Sequence, residues 1–368
     1  MKIQMVDVVG QYRHLQKDID AGIRRVIDSG MFVHGKEVGE FESTAAEYLG
    51  VRHAIGCASG TDALQIAMMA LGIGPGDEVI TTPFTFVATA ETIGILGAKP
   101  VYVDIQPDTF NIDPGGIEKV ITPRTKAIIP VHLYGQPADM DAIMYISRSR
   151  QILVIEDAAQ AMGATYQGKK VGSLGAIGCI SFFPSKNLGC FGDGGMMVTD
   201  DDSMAAKIRS FAAHGSTIRY YHDVLGVNSR LDTIQAAILL AKLPHLDEYN
   251  KSRRSAAARY AELLKGLPVS PPVVAPGREH IFHQFTLRAQ QRDGLAAFLK
   301  EQGIPHAIYY PVPLHLQKAF AMAGGKKGDF PCTEKAAEEV ISLPMHTELS
   351  EEQLQHITGT IRKFYARG

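Results

Sequence analysis

Lys186 stands between the apolar run Cys179-Ile180-Ser181-Phe182-Phe183 and the glycine-rich turn that ends at Gly194-Gly195. A lysine at the mouth of a strand has two readings. It is an ordinary solvated loop lysine, or partial burial keeps its amine neutral so that it attacks an aldehyde as a Schiff-base lysine. Asp157 ends the apolar run Ile152-Leu153-Val154-Ile155 after Glu156. A carboxylate there either caps the next helix or needs a buried partner. Paired with a pyridine nitrogen, it would keep that nitrogen protonated and make the ring an electron sink. Gln160 lies close enough in sequence to reach a ring hydroxyl from the same side. Ser59-Gly60-Thr61-Asp62 precedes an apolar helical run. It is either a plain Ser/Asp cap or a phosphate seat, because free N–H groups, the Thr61 hydroxyl and the positive end of a helix dipole all suit a phosphate. Ser181 could add a hydroxyl, and Phe84, within TTPFTF, is either a core residue or a ring stacked on a flat heterocycle. A turn Asn228-Ser229-Arg230 follows later. Taken together, these are the parts that a pyridoxal phosphate site requires.

The elements that must position them follow from periodicity. Apolar residues at Leu15, Ile19, Ile23, Val26 and Ile27 form a helical stripe over 12–29, and a second amphipathic helix is predicted over 36–49. Seven short apolar runs then alternate with helical stretches: 53–59, 77–82, 99–105, 125–132, 152–158, 178–183 and 195–200. Several are apolar on both faces, as expected of strands covered by helices on both sides, so the fold class is α/β with a mostly parallel seven-stranded sheet. In such sheets ligands gather at the carboxyl ends of the strands, where Ser59, Asp157 and Ser181 fall. Beyond Arg230 the texture changes. Pro244 is expected to bend or divide a long helix, 268–277 is a proline-rich connector, and 282–288, 291–302, 307–313 and 350–365 suggest a small α+β unit. The expected division is a large domain over 1–245, including the N-terminal helices, and a small C-terminal domain over 246–368.

Composition narrows the function class. The 368 residues are 45% hydrophobic and 21% charged, and 37 Lys+Arg against 39 Asp+Glu leave a formal charge of −2. That balance carries no nucleic-acid or membrane footprint, so a phosphate-bearing ligand must be held by local geometry. The cysteines Cys57, Cys179, Cys190 and Cys332 are scattered, and the histidines His14, His34, His53, His132, His214 and His222 lack ligand spacing, so neither disulfides nor a metal site is expected. The N-terminal stretch has no long apolar core and no uncharged apolar run approaches ~20 residues, so the expected location is the cytoplasm. Gly192-Asp193-Gly194-Gly195 precedes a strand, where a dinucleotide loop would follow one, and is not read as one.

With SGTD, EDAAQ, SFFPSKNLG and GVNSRLD present in that order, the chain resembles, over nearly its whole length, the sugar-nucleotide aminotransferases of the DegT/DnrJ/StrS type. The resemblance implies the fold type I of pyridoxal phosphate (PLP)-dependent transferases, the aspartate aminotransferase fold. It implies that Lys186 carries the cofactor and shuttles the proton, that Asp157 pairs with the ring nitrogen and that Gln160 contacts the ring oxygen. Gly60, Thr61 and Ser181 would hold the phosphate and Phe84 would cover the ring. Asn228, supplied by the neighbouring subunit, would complete the phosphate site, which implies a homodimer with shared active sites. Arg230, Tyr310 and His315 are the expected substrate contacts.

The implied donor is L-glutamate and the implied acceptor a keto sugar on a nucleoside diphosphate. FPSKNLG resembles members that aminate C3, and the likeness is to enzymes acting on a UDP-2-acetamido-3-oxo-uronate for O-antigen, lipopolysaccharide or a related surface polysaccharide. Tyr309 stands where histidine is expected in the uronate-specific members. The alternatives are a dTDP-3-keto-6-deoxyhexose or a 4-keto nucleotide sugar. A related dehydratase would replace the lysine by histidine, which Lys186 opposes. The non-enzyme alternative is a catalytically silent regulatory or scaffold homologue, which should lack Lys186, Asp157 or Gln160; all three are present.

Overall fold

A computed structural model describes residues 3–367. The seven predicted strands all form: β1 His53–Cys57, β2 Glu78–Thr81, β3 Lys99–Tyr102, β4 Thr125–Ile128, β5 Leu153–Asp157, β6 Ile177–Ser181 and β7 Gly195–Thr199. They lie in one sheet in the order β1-β7-β6-β5-β4-β2-β3. The pairs β2–β3, β2–β4, β4–β5 and β5–β6 are parallel, and β7 alone runs against its neighbours β6 and β1. The exception has a simple cause. Parallel neighbours require a crossover back to the opposite edge of the sheet, whereas the link 182–194 between β6 and β7 begins and ends at the same edge, so these two strands run antiparallel. Ser181 pairs directly with Gly195. The chain therefore leaves the sheet and returns at one point, with Lys186 on the excursion, at the edge where β1, β5 and β6 also end.

Side-chain alternation along these strands feeds two cores, one on each face of the sheet. Ala54, Ile180, Met196 and Val198 pack with Phe41, Ala45 and Leu49 of helix α2 (Lys36–Leu49). Ile55, Cys57, Ile155, Ile177, Cys179 and Met197 pack with Ala63, Leu64, Ile66 and Ala67 of helix α3 (Gly60–Ala70). The N-terminal stripe forms a helix over Val8–Ser29, starting earlier than its periodicity indicated because Asp7 caps it, accepting from Gly10 N at 2.8 Å.

Pro244 acts as predicted. A helix Thr233–Lys242 passes through one tight turn, Leu243–His245, into a second helix, Leu246–Leu263. The C-terminal part is an antiparallel three-stranded sheet, Val269–Ser270, Phe285–Ala289 and Val340–Leu343. Helices Arg292–Glu301 and Glu351–Tyr365 cover it around a core that includes Phe285, Leu287, Leu299, Ile341 and Ile357. The stretch 307–313 is no strand: only Ala307 bridges to Ser342, and Pro311 and Pro313 lack the N–H groups a ladder needs. Among the described residues, no helix is long and apolar enough to cross a membrane.

Candidate active site

At the carboxyl edge of the sheet lies a cavity of about 340 Å³, lined by Gly60, Thr61, Asp157, Gln160, Ser181 and Lys186 among others. Lys186 is half-buried, so its amine is ringed by protein and still reachable from the cavity. Burial pulls that amine down to about 8, against an attraction to Asp157 that acts the other way. Among the described residues nothing hydrogen-bonds it. Its backbone N–H donates to Phe183 O at 2.8 Å, closing a tight turn.

Asp157 and its neighbour Glu156 show how a strand assigns adjacent carboxylates to different tasks. Glu156, fully buried, accepts from His132 Nε2 at 2.9 Å and from the backbone N–H groups of Gly172, Leu174 and Gly175 at 2.8, 2.7 and 2.6 Å. Ala138 N donates to His132 Nδ1 at 3.0 Å, so the imidazole proton sits on Nε2 and the ring is a neutral donor to Glu156. Those bonds tie together the segments that follow β4 and β5. Asp157 points the other way, to the cavity. Its Oδ2 accepts from Thr89 Oγ1 at 2.8 Å and its Oδ1 from Ala159 N at 3.2 Å. Since Thr89 donates to the carboxylate, the Thr85 hydroxyl, 3.0 Å behind it, donates to Thr89. Burial nonetheless raises the Asp157 carboxyl above its usual range, opposed by the Thr89 bond and by Lys186. Lys186 and Asp157 are thus both pushed toward neutrality, which is what burial does to charges lacking a close partner.

The opposite end of the cavity is a backbone cradle. Ser59 caps helix α3, its Oγ accepting from Asp62 N at 3.1 Å, which leaves the N–H groups of Gly60 and Thr61 at the helix start without helical partners. A Cβ on Gly60 would lie 2.6 Å from Ser181 Cβ, so glycine is what lets the helix start approach the Ser181 hydroxyl. Ser229 fastens this turn from the Asn-Ser-Arg segment, accepting from Ala58 N at 3.0 Å and donating to Asp62 Oδ2. On the third side, Tyr134 N donates to Gln160 Oε1 at 2.7 Å. The Gln160 amide therefore turns its Nε2 to Tyr310 Oη, at 3.2 Å. Tyr134 Oη in turn donates to the Tyr309 carbonyl, tying the 307–313 loop to the segment that follows β4.

The structure places other predicted residues elsewhere. Phe84 does not face the cavity: it is fully buried and packs against Phe110 and Tyr310, with ring centroids 6.1 and 6.2 Å away. Phe86, two residues on and 53% exposed, lines the cavity instead, as do Phe183, Tyr309 and Tyr310. His315 is also outside it. The ring is buried, with Nε2 on Glu334 Oε1 at 3.1 Å, and Glu334 also accepts from Gly328 N, so His315 anchors the loop before helix Pro331–Glu339. Arg230 lines a separate cavity of about 610 Å³ with His34, Lys36 and Arg209. Asn228 is exposed, bridging only to Ala213, and does not line the catalytic cavity of its own chain.

Besides Phe86, sequence reasoning missed Thr89, Tyr134 and His283, while Tyr309, noted in the sequence for standing where the resemblance implies a histidine, lines the cavity. His283 is a buried histidine on the cavity wall whose Nδ1 has no hydrogen-bond partner among the described residues and whose imidazole burial holds well below its ordinary basicity. It left a trace in the sequence, as a polar residue at the mouth of the run 282–288.

Residues 13–362 match the DegT/DnrJ/EryC1/StrS aminotransferase family. A "pleiotropic regulatory protein" of Geobacillus stearothermophilus is 54% identical over 368 residues, with 99% of each chain covered. The UDP-2-acetamido-2-deoxy-3-oxo-D-glucuronate aminotransferase of Pseudomonas aeruginosa is 50% identical over 98% of this chain and 99% of its own. A UDP-N-acetyl-3-dehydro-α-D-glucosamine 3-aminotransferase of Acidithiobacillus ferrooxidans is 51% identical over 98% and 97%. Among solved structures, S. venezuelae DesV in complex with a ketimine intermediate superimposes with a TM-score of 0.97 at 43% identity, covering 100% of this chain and 99% of that one.

Proposed function

The chain belongs to the DegT/DnrJ/EryC1/StrS aminotransferase family, and from that premise we propose that it moves an amino group from L-glutamate to C3 of a 3-keto sugar carried on a nucleoside diphosphate. The enzyme is PLP-dependent. The observation that carries the reading is a single cavity that joins a lysine of lowered basicity, a buried carboxylate without a close counter-charge and an open helix N-terminus. Those residues fit pyridoxal phosphate feature by feature. The N–H groups of Gly60 and Thr61 with the Ser181 hydroxyl would hold the phosphate, and the Asp157 carboxylate would receive a ring cation that supplies its missing charge. Gln160 Nε2 and Tyr310 Oη would reach the ring oxygen, and Phe86 takes the covering place first given to Phe84. When bound, the cofactor supplies the aldehyde that carries the amine and the ring that takes up electrons as the proton moves. The chain supplies the rest. Lys186 Nζ, its basicity lowered by burial, can take and return that proton at the reacting carbon. Thr89 and Ala159 fix the Asp157 carboxylate.

The exposed Asn228 and Arg230 are read as contributions to the partner's site in a homodimer. Asn228→Ala is expected to weaken cofactor binding about tenfold, the worth of one hydrogen bond to a charged group of about 1.5 kcal/mol. Titration of the cofactor-free variant measures this, and unchanged affinity contradicts the shared site.

Two relatives, one at 50% identity named as an aminotransferase of a UDP-linked 2-acetamido-3-oxo uronate and one at 51% named as a 3-aminotransferase of a UDP-linked 3-dehydro N-acetyl sugar, support a UDP-linked 2-acetamido-3-keto sugar as acceptor, with a uronate as the first choice. The setting would be the cytoplasm, upstream of a surface polysaccharide. The test is incubation with glutamate and a panel of 3-keto and 4-keto nucleotide sugars, with and without the uronate carboxylate. Amination at C3 of the UDP-linked substrates is expected; turnover of 4-keto sugars alone would overturn it. A regulatory role without catalysis is the second reading, favoured by the name of the Geobacillus relative. The presence of Lys186, Asp157 and Gln160 in one cavity weighs against it.

A further inference from the structure

Lys242 ends the helix Thr233–Lys242 and is 1% exposed. No carboxylate pairs with it among the described residues: the ionisable groups acting on its amine are the Cys190 thiol and the Arg253 guanidinium. A buried amine without a counter-ion is costly, and methionine would fill the same space without that cost. What the amine does is visible in its hydrogen bond, which Nζ donates to the carbonyl oxygen of Gly189.

Gly189 closes the loop that carries Lys186. A Cβ on Gly189 would lie 2.4 Å from Pro184 O and 2.8 Å from Phe183 O, so the two ends of the loop touch and only glycine fits. Next to it, Cys190 N donates to Phe182 O at 2.8 Å. The same helix holds the following residue as well, since Gln235 Oε1 accepts from Phe191 N at 2.8 Å. Asn187 secures the far side, donating to Asn250 Oδ1 at 2.7 Å and Ile281 O at 3.1 Å. Lys186 itself has no side-chain anchor, so where its amine stands depends on how this loop is held.

We propose that Lys242 is a positioning residue for Lys186: by gripping the Gly189 carbonyl it fixes the loop closure from which the Lys186 amine is presented to the cavity. The inference rests on the role given to Lys186 above.

The test compares two forms of the cofactor with the cofactor-free protein. Capture of pyridoxal phosphate is a condensation in which the Lys186 amine replaces the aldehyde oxygen and water leaves, so it reports the placement of that amine. Pyridoxamine phosphate already bears its amine and binds without Lys186, so it reports the rest of the cavity. In Lys242→Met the rate constant for capture of pyridoxal phosphate, followed by the rise of the visible chromophore, is expected to fall about tenfold or more, because small misplacements of reacting groups are costly. The dissociation constant for pyridoxamine phosphate should stay within about twofold, and Lys242→Gln, which restores a shorter donor, should recover part of the rate. A purely structural role would change both constants together or neither, and either result overturns the proposal. Should Lys242→Met not fold, Lys242→Gln carries the same comparison against wild type. If wild-type protein captures no pyridoxal phosphate on Lys186, the reading of the site falls first and takes this inference with it.

Discussion

Lys186→Ala is expected to lower transamination at least ~10³-fold, near the upper part of what a positioned proton-transfer group supplies, because the same amine both holds the cofactor and moves the proton. Steady-state kinetics with glutamate and the accepted keto sugar measure the loss. The protein should remain folded and should still bind pyridoxamine phosphate, since Asp157, Gln160 and the helix-start cradle are untouched. Lys186→Arg should not restore activity: a guanidinium stays charged and cannot perform the attack. Retention of a tenth or more of the wild-type rate in Lys186→Ala would contradict the role assigned to this residue.

The second large effect concerns Asp157. Asp157→Asn keeps the shape of the side chain and removes only the charge. An amide cannot stabilise a ring cation, so the ring loses its capacity as an electron sink. The expected fall in kcat is about 10²–10³-fold, comparable to losing one preorganised electrostatic contact in a dry site. Thr89 donates to Asp157 Oδ2 and Ala159 N to Oδ1. An asparagine oxygen can still accept one of these bonds, so loss of activity through unfolding is not expected. Equal activity in Asp157→Asn, with the cofactor bound, would contradict the pairing. Glu156→Gln provides the contrast. Glu156 meets His132 and three backbone N–H groups on the other side of the strand, so its loss should act on stability before chemistry.

The fold was legible because its strands are apolar on two faces and its breaks are chemical. Runs separated for the most part by helical stretches leave little choice but a covered, mostly parallel sheet, and Pro244 divides its helix for want of an N–H. The antiparallel course of β7 was not stated from the sequence, and the lack of a helix between 181 and 195 does not decide it, since the link 158–176 between the parallel β5 and β6 has none either. The centre of the site was legible for a related cause. Lys186 and Asp157 are charged residues at the ends of apolar strands, places where charge is expensive and therefore informative.

What sequence did not disclose depends on direction and distance. Phe84 and Phe86 sit in the same short motif, and only the turn after β2 decides that Phe84 goes into the core and Phe86 to the cavity. Thr89 looks like any polar residue of a short helix until the fold brings it to Asp157. His283 comes from the C-terminal part of the chain, where no periodicity connects it with the sheet edge. His315 is a polar residue near the substrate loop by sequence, but Glu334 claims its imidazole. Lys242 reads as a cation at a helix C-terminus, where the dipole favours one; its burial against the Lys186 loop comes only from packing.

The most direct measurement is borohydride reduction of the purified protein after incubation with pyridoxal phosphate, followed by peptide mapping. Burial lowers the amines of both Lys186 and Lys242 to about 8, but only Lys186 opens onto the cavity, so the reduced adduct is expected on the peptide containing Lys186, at one per chain, with a visible chromophore before reduction. A colourless protein, or an adduct spread over surface lysines or centred on another lysine while Lys186 stays unmodified, would contradict the assignment.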